Sequence, residues 1–253
     1  MTRIDDYRTR YRNARLERRD GVLEVTLHDG DGGALKWSES AHAELPLLFR
    51  DIARDVENRV VLLTGAGGHF IDMGAEGHFQ FDSTVPSAGA DRIYREGNEL
   101  LRALLDINVP IVAAVAGNVF PHAELALLSD SIVAAENAVV KDFHFAYGIV
   151  PGDGVHIVWT MLLGANRGRH YLLSGKEFTA REALEWGVFS EVTPVGRELD
   201  RARELAAEYA RQPPLVLRYT REVITLEIKR RIEADLAVGL ALEGLASGYG
   251  NWR

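Results

Sequence analysis

The chain has 253 residues, 47% of them hydrophobic, which is enough for one large buried core. Its formal charge is −8, from 37 acidic and 29 basic residues, so it has no electrostatic reason to bind nucleic acid or an anionic membrane. It contains no cysteine, which excludes disulfides, thiolate catalysis and zinc–thiolate sites. The segment from Met1 to Arg19 is charged and has no apolar core, so it does not read as a secretory signal. No apolar run approaches the roughly 20 residues that span a bilayer. The expectation is a cytoplasmic enzyme.

Two strands open the chain, Ala14–Arg18 and Val22–His28, joined at Asp20-Gly21. A helix follows over Ser40–Asp55, with Ser38 or Ser40 as its N-cap. The apolar run Val60–Thr64 predicts a buried strand. Residues 65–90 are rich in Gly, His, Asp and Ser, and read as a long loop with short helical pieces. A helix is predicted over Asp91–Leu105, then a strand over Ile111–Val115. After the turn Ala116-Gly117-Asn118 comes a helix over Pro121–Ser129, and then strands Ile132–Ala135 and Val139–Lys141. Gly148–Gly154 is a shaped turn. Helices follow over Val155–Leu163, Arg167–Leu173 and Ala180–Trp186, and the region from Arg197 to Ser247 is helical with a break at Pro213-Pro214. The class is α/β with a helical C-terminal part.

Three pieces of this chain could do chemistry. The first is His122, in Phe120-Pro121-His122-Ala123-Glu124, placed after a strand and tight turn near a helix N-terminus. A histidine there can donate to a developing oxyanion, or it can simply cap or pack. The second is His144 in Asp142-Phe143-His144, followed nine residues later by Asp153 in a glycine-rich turn. A carboxylate behind a histidine fixes its tautomer, and with no Ser or Cys nucleophile nearby the pair points to activation of water. Alternatively Asp153 only shapes its turn. The third is Glu243, an acid in an apolar helical stretch. On the solvated face it would be inert; buried, its raised pKa would make it an acid. His28 and His170 read as surface residues, and His156 as structural. His69 and His78 match no zinc spacing. Trp37 and His42 could line a pocket.

These pieces occur together in a recognisable pattern. Val60-Val61-Leu62-Leu63-Thr64-Gly65, Val109-Pro110-Ile111-Val112-Ala113-Ala114-Val115-Ala116-Gly117 and Ala123-Glu124-Leu125 with Ser129-Asp130 resemble the enoyl-CoA hydratase, or crotonase, superfamily. So do Gly148-Ile149-Val150-Pro151-Gly152, Leu172-Leu173-Ser174-Gly175, Ala180-Arg181-Glu182-Ala183 and Gly187-Val188. The resemblance implies a crotonase-like spiral of β-β-α units over residues 1–195. A helical region over 196–253 would complete the site and make trimer contacts, giving a homotrimer or a dimer of trimers.

The departures from that pattern are informative. CoA-thioester members carry a glycine-rich stretch after the Ala-x-Gly turn; here it is Asn118-Val119-Phe120-Pro121-His122-Ala123, without glycine. The first oxyanion element is replaced by Phe70-Ile71-Asp72-Met73-Gly74-Ala75-Glu76. Glu124 matches one catalytic glutamate of the hydratases, and His144 stands where the second falls. This replacement set resembles the β-diketone hydrolase branch typified by 6-oxocamphor hydrolase. That resemblance implies a retro-Claisen cleavage of a cyclic β-diketone, with His144 and Asp153 activating water, His122 stabilising the oxyanion and Glu243 assisting at the enolate. It also implies that Trp37, His42, Gly74 and Phe81 bind the substrate, and that neither metal nor cofactor is needed. The alternatives are a CoA-thioester hydratase or isomerase, and a biosynthetic relative acting on a diketone-like intermediate. A silent RNA-binding relative is disfavoured by the charge.

Overall fold

A computed structural model describes residues 2–73 and 86–247, and its elements follow the hydrophobic pattern closely. After a short helix α1 (Ile4–Tyr7), the hairpin β1 (Ala14–Arg19) and β2 (Val22–Leu27) turns at Asp20 and Gly21, both at positive φ. Ser38 caps α2 (Glu39–Arg54), its Oγ accepting from the Ala41 N–H at 3.2 Å, whereas Ser40 donates to Asn13. Strand β3 (Val60–Gly65) follows. Helix α3 (Pro86–Asp106) begins earlier than its apolar spacing predicts. Next come β4 (Ile111–Val115), β5 (Asn118–Val119), α4 (Glu124–Leu127), β6 (Ser131–Ala135), β7 (Val139–Val140) and a 3₁₀ turn over Phe145–Tyr147. The remainder is α5 (Val155–Leu162), α6 (Ala165–Ser174), β8 (Phe178–Thr179), α7 (Ala180–Glu185), β9 (Glu191–Thr193), α8 (Glu198–Tyr209), α9 (Pro214–Ile224) and α10 (Leu226–Ser247). The α/β class with a helical C-terminal region is therefore what forms.

One expected element is different. The helix read over Pro121–Ser129 is a single turn, Glu124–Leu127. His122 has φ 57°, in the left-handed region, so the chain cannot be helical through it. His122 thus stands in the bend before the helix, not in its first turn.

The main sheet runs β1-β2-β3-β4-β6-β9, with the first pair antiparallel and the rest parallel. Register places Leu16, Val25, Leu63, Ala113 and Ile132 in one lateral row, and all five belong to the large core. Their neighbours Val60, Leu62, Val112, Ala114 and Val133 point to the other face, where Ala202, Leu205 and Ala206 of α8 cover them. Both faces are buried, which is why these strands read as continuous apolar runs.

Two local devices aim the chain at one place. Gly117, at φ 53°, turns β4 into β5, and the Phe70 N–H donates to the carbonyls of Ala116 and Asn118, both at 3.0 Å. Isolated bridges Lys36↔Asp72 and Ile71↔Val119 extend that contact, so Trp37 and the 120–122 bend lie side by side. His69 belongs to this framework, its Nδ1 accepting from the Asn118 N–H at 2.9 Å. The second device is glycine on glycine. A Cβ on Gly239 would lie 2.4 Å from the Gly152 carbonyl, and one on Gly152 would lie 2.2 Å from that of Gly239. Only residues without side chains allow α10 to dock so closely on the turn before α5.

The C-terminal helices are anchored by Arg221, which is 1% exposed. Its Nε donates to Asp130 at 2.8 Å, and its Nη1 donates to the carbonyls of Leu105 and Ile107. Asp130 also accepts from the Ile111 N–H at 2.7 Å, so one carboxylate starts β4 and holds α9. Removing one partner of such a pair leaves a buried charge unpaired. Arg221→Ala should therefore cost about 3–5 kcal/mol in denaturant unfolding. A loss no larger than that of an exposed ion pair would show the anchor to be incidental.

Candidate active site

Six of the eight residues singled out in the sequence line one small recess: Trp37, His42, His122, His144, Asp153 and Glu243. Apolar walls come from Ile93, Phe143, Ile149 and Leu240, which the sequence reading does not single out. No lysine or arginine is among the described lining residues. Gly74 and Phe81 lie outside the described residues.

Each polar group reaches the recess from a different element. His122 comes from the bend after β5, with its ring 4.0 Å from that of Trp37. His144 starts the 3₁₀ turn and stacks on Phe143 at 4.6 Å and 15°. Asp153 sits in the turn before α5, and Glu243 lies one helical turn beyond Gly239 on α10. His42 is bound to Glu96 at 2.7 Å, which ties α2 to α3 beside the recess. His156 packs against Gly239, consistent with the structural role expected of it.

Asp153 is the centre of the cluster. Its Oδ2 lies 3.3 Å from His122 Nδ1 and 3.4 Å from His144 Nε2. The sequence pattern pairs Asp153 with His144 alone; the structure shares it between both histidines. The shortest contact to His144 is instead Asp142, whose Oδ1 lies 2.7 Å from Nδ1. Glu124 lies under His122, 3.6 Å from Nδ1. Asp142 is two residues from His144, and on a non-helical segment that spacing alone does not establish contact. The adjacency is visible in the sequence, but nothing there chooses between two carboxylates.

Burial and charge set the protonation states. Burial would push the Asp153 carboxyl up, but the charges of His144 and His122 outweigh it and hold the group far below the usual carboxylate range. Burial likewise disfavours charge on His144, yet Asp153 and Asp142 raise its pKa well above the ordinary value. His122 is raised by Asp153 and Glu124 against the same desolvation. Burial pushes Glu243 up to about 8, reinforced by the negative charge of Asp153. Glu124 is raised for the same two reasons. The result is two histidines shifted toward their cationic forms around an ionised Asp153, with two buried glutamates shifted toward their protonated forms.

Such a cluster can do acid–base work. Glu243 holds a proton to give, and His144 gains a base form as pH rises. The nearest ligand atoms of His122, Glu124 and Asp153, and those of His144, Asp153 and Glu243, lie within 4.8 Å of one another, so a divalent ion would meet these two sets. The donors are already balanced against one another as cations and anions, so the charges themselves do not call for an ion.

The comparisons agree with this architecture. The chain belongs to the enoyl-CoA hydratase/isomerase family, whose model matches residues 17–243, and so to the crotonase superfamily. Its structure resembles a β-diketone hydrolase from the cyanobacterium Anabaena sp. PCC 7120, solved bound to (S)-3-oxocyclohexyl acetic acid. The two are 42% identical with a TM-score of 0.89 over 96% of each chain. A carnitinyl-CoA dehydratase of Salmonella arizonae is 34% identical over 83% of this chain and 78% of its own length. An enoyl-CoA hydratase/isomerase from Mycobacterium paratuberculosis has a TM-score of 0.87 over 95% of this chain and 96% of its own, but 24% identity, and shares the fold alone. Among the described residues no helix is long and apolar enough to cross a membrane.

The electrostatic account has a direct check. If the Asp153 charge holds His144 protonated, Asp153→Asn lets desolvation win and the His144 pKa falls. Titration of the His144 ring by NMR should show a lower midpoint than in the unmodified protein. A midpoint that stays put or rises would contradict it.

Proposed function

We propose that the chain hydrolyses a carbon–carbon bond of a compact cyclic β-diketone. The observation that carries this reading is the pair of buried histidines sharing Asp153, where the superfamily's hydratases are expected to use glutamates and a glycine-rich stretch. The 42% identity to a β-diketone hydrolase supports it. So does a recess walled by Ile93, Phe143, Ile149 and Leu240 without a cationic lysine or arginine among its described residues, which suits an uncharged ring.

In this mechanism neutral His144 takes a proton from water through Nε2, and the hydroxide oxygen bonds to one carbonyl carbon. The carbonyl π electrons move to oxygen, where His122, with the Trp37 N–H beside it, stabilises the charge. Collapse of the tetrahedral intermediate breaks the bond to the central carbon, and that electron pair becomes the enolate of the second ketone. Glu243, protonated up to about pH 8, lies in the same recess and supplies the proton to the enolate carbon. The product is a keto acid. The second carbonyl is the electron sink, so the bond breaks without a cofactor. Because Asp153 and Asp142 hold His144 toward its cationic form, kcat/KM should climb with pH as the base form appears.

A second reading, a CoA-thioester hydratase or dehydratase, is favoured by the 34% identity to a carnitinyl-CoA dehydratase and by Glu124 at the hydratase position. Against it, Glu124 is 2% exposed and is not among the described residues that line the recess. Assays of cyclic 1,3-diketones by loss of enolate absorbance, with crotonyl-CoA hydration in parallel, separate the two. The expected outcome is diketone turnover that His144→Ala lowers by about 10²–10⁴. Crotonyl-CoA hydration without diketone turnover would establish the second reading instead.

His122→Ala should separate oxyanion stabilisation from binding. Losing one such donor commonly lowers kcat about 10²–10³-fold. Here kcat should fall more than KM rises, because the interaction strengthens as charge develops. A raised KM at constant kcat would make His122 a binding residue only.

A further inference from the structure

Asp142 has no part in the mechanism above. It is 5% exposed, and its Oδ2 is buried with no hydrogen-bond partner among the described residues. Its Oδ1 is 2.7 Å from His144 Nδ1, the length of a charge-assisted hydrogen bond. Asp153 faces the other ring nitrogen, Nε2, at 3.4 Å, near the outer limit of a hydrogen bond. One imidazole therefore stands between two carboxylates that hold it unequally.

The difference matters only when His144 is neutral. A neutral imidazole has one N–H and one lone pair, and the partner of each nitrogen decides which is which. A carboxylate accepts and cannot donate, so it stabilises an N–H and repels a lone pair. Both Asp142 and Asp153 compete for the single proton, and the shorter contact has the advantage. Asp142 is also well placed to keep it. Phe143 between them stacks on the His144 ring, and the Ile149 and Tyr147 N–H groups close the following turn onto the His144 carbonyl at 2.8 and 3.1 Å. The other titratable groups that interact with the ring are His122 and Glu243, which line the recess with it.

We propose that Asp142 is the positioning residue for His144, keeping the neutral ring's proton on Nδ1 so that Nε2 is the atom that takes the proton from water. Asp153 then has a separate task. Its charge is shared by both histidines and favours the imidazolium that the proton transfer creates. In that step the water O–H bond breaks, the proton goes to Nε2, and the Nδ1–H stays hydrogen-bonded to Asp142. The catalytic consequence rests on the hydrolase reading; the tautomer does not.

The test uses the full chain labelled with ¹⁵N-histidine, above the pH at which His144 loses its proton, together with diketone kinetics. The unmodified protein should show neutral His144 protonated on Nδ1. Asp142→Asn presents an amide that can donate to Nδ1, so the ring proton should move to Nε2. Loss of base function should lower kcat by about 10²–10⁴ with little change in KM. Asp142→Ala, which removes the acceptor altogether, should do the same if the asparagine variant folds poorly. Asp153→Asn should leave the proton on Nδ1. The proposal is overturned if both Asp142 variants keep the Nδ1–H tautomer, if Asp153→Asn is the variant that moves it, or if the Asp142 variants lose only melting temperature at unchanged kcat. If the unmodified protein cleaves no diketone, the hydrolase reading fails while the ¹⁵N spectra still decide the role of Asp142.

Discussion

An ionised aspartate that is 7% exposed needs cations beside it, and Asp153 has two imidazoles within 3.4 Å. The desolvation of a lone carboxylate would otherwise protonate it. His122, His144, Glu124 and Glu243 all feel its charge. The histidines are shifted toward their cationic forms because Asp153 and one further acid each, Asp142 beside His144 and Glu124 beside His122, outweigh the cost of burial. Glu124 and Glu243 are shifted toward their protonated forms because burial disfavours their charge and Asp153 adds its own negative charge. Acid and base forms are thus produced by one balance of charges, and a change at any member is felt by the rest.

The fold assembles this balance from parts with little in common. The sheet contributes no catalytic side chain; it fixes the ends of strands from which the loops depart. The contacts of Phe70 with Ala116 and Asn118 bring three segments together and place Trp37 against His122. Glu243 arrives from the far end of the chain, because two glycines let α10 approach the Asp153 turn backbone to backbone.

Much of this is legible in the sequence. Strands β2, β3 and β4 are evident because sheet positions buried on both faces need unbroken apolar runs. Helix α2 is evident from its serine cap and its spacing. His122, His144, Asp153 and Glu243 stand out through their joint likeness to one branch of a superfamily, since singly each has an ordinary structural explanation. Other features are hidden for physical reasons. Helix propensity in Ala123–Leu128 cannot reveal that His122 is in the left-handed region. Strands β8 and β9 are too short for a periodicity to register. The preference of His144 for Asp142 depends on a distance, and Gly152 with Gly239 reads as two unrelated small residues until the contact is seen.

The meeting of Gly152 and Gly239 also divides the molecule into inheritable portions. The groups assigned to water attack and the oxyanion lie before residue 154, while Glu243 follows the connection at 194–197. Exchange of the terminal helices between homologues at that junction would carry the proton donor into a foreign spiral without altering the base. Under the proposed chemistry, the hand of a product made from a symmetrical diketone would travel with the exchanged segment, and chiral chromatography of the keto acid would reveal it. A recombinant that retained the hand of the parent spiral would instead locate stereocontrol in the walls around the enolate.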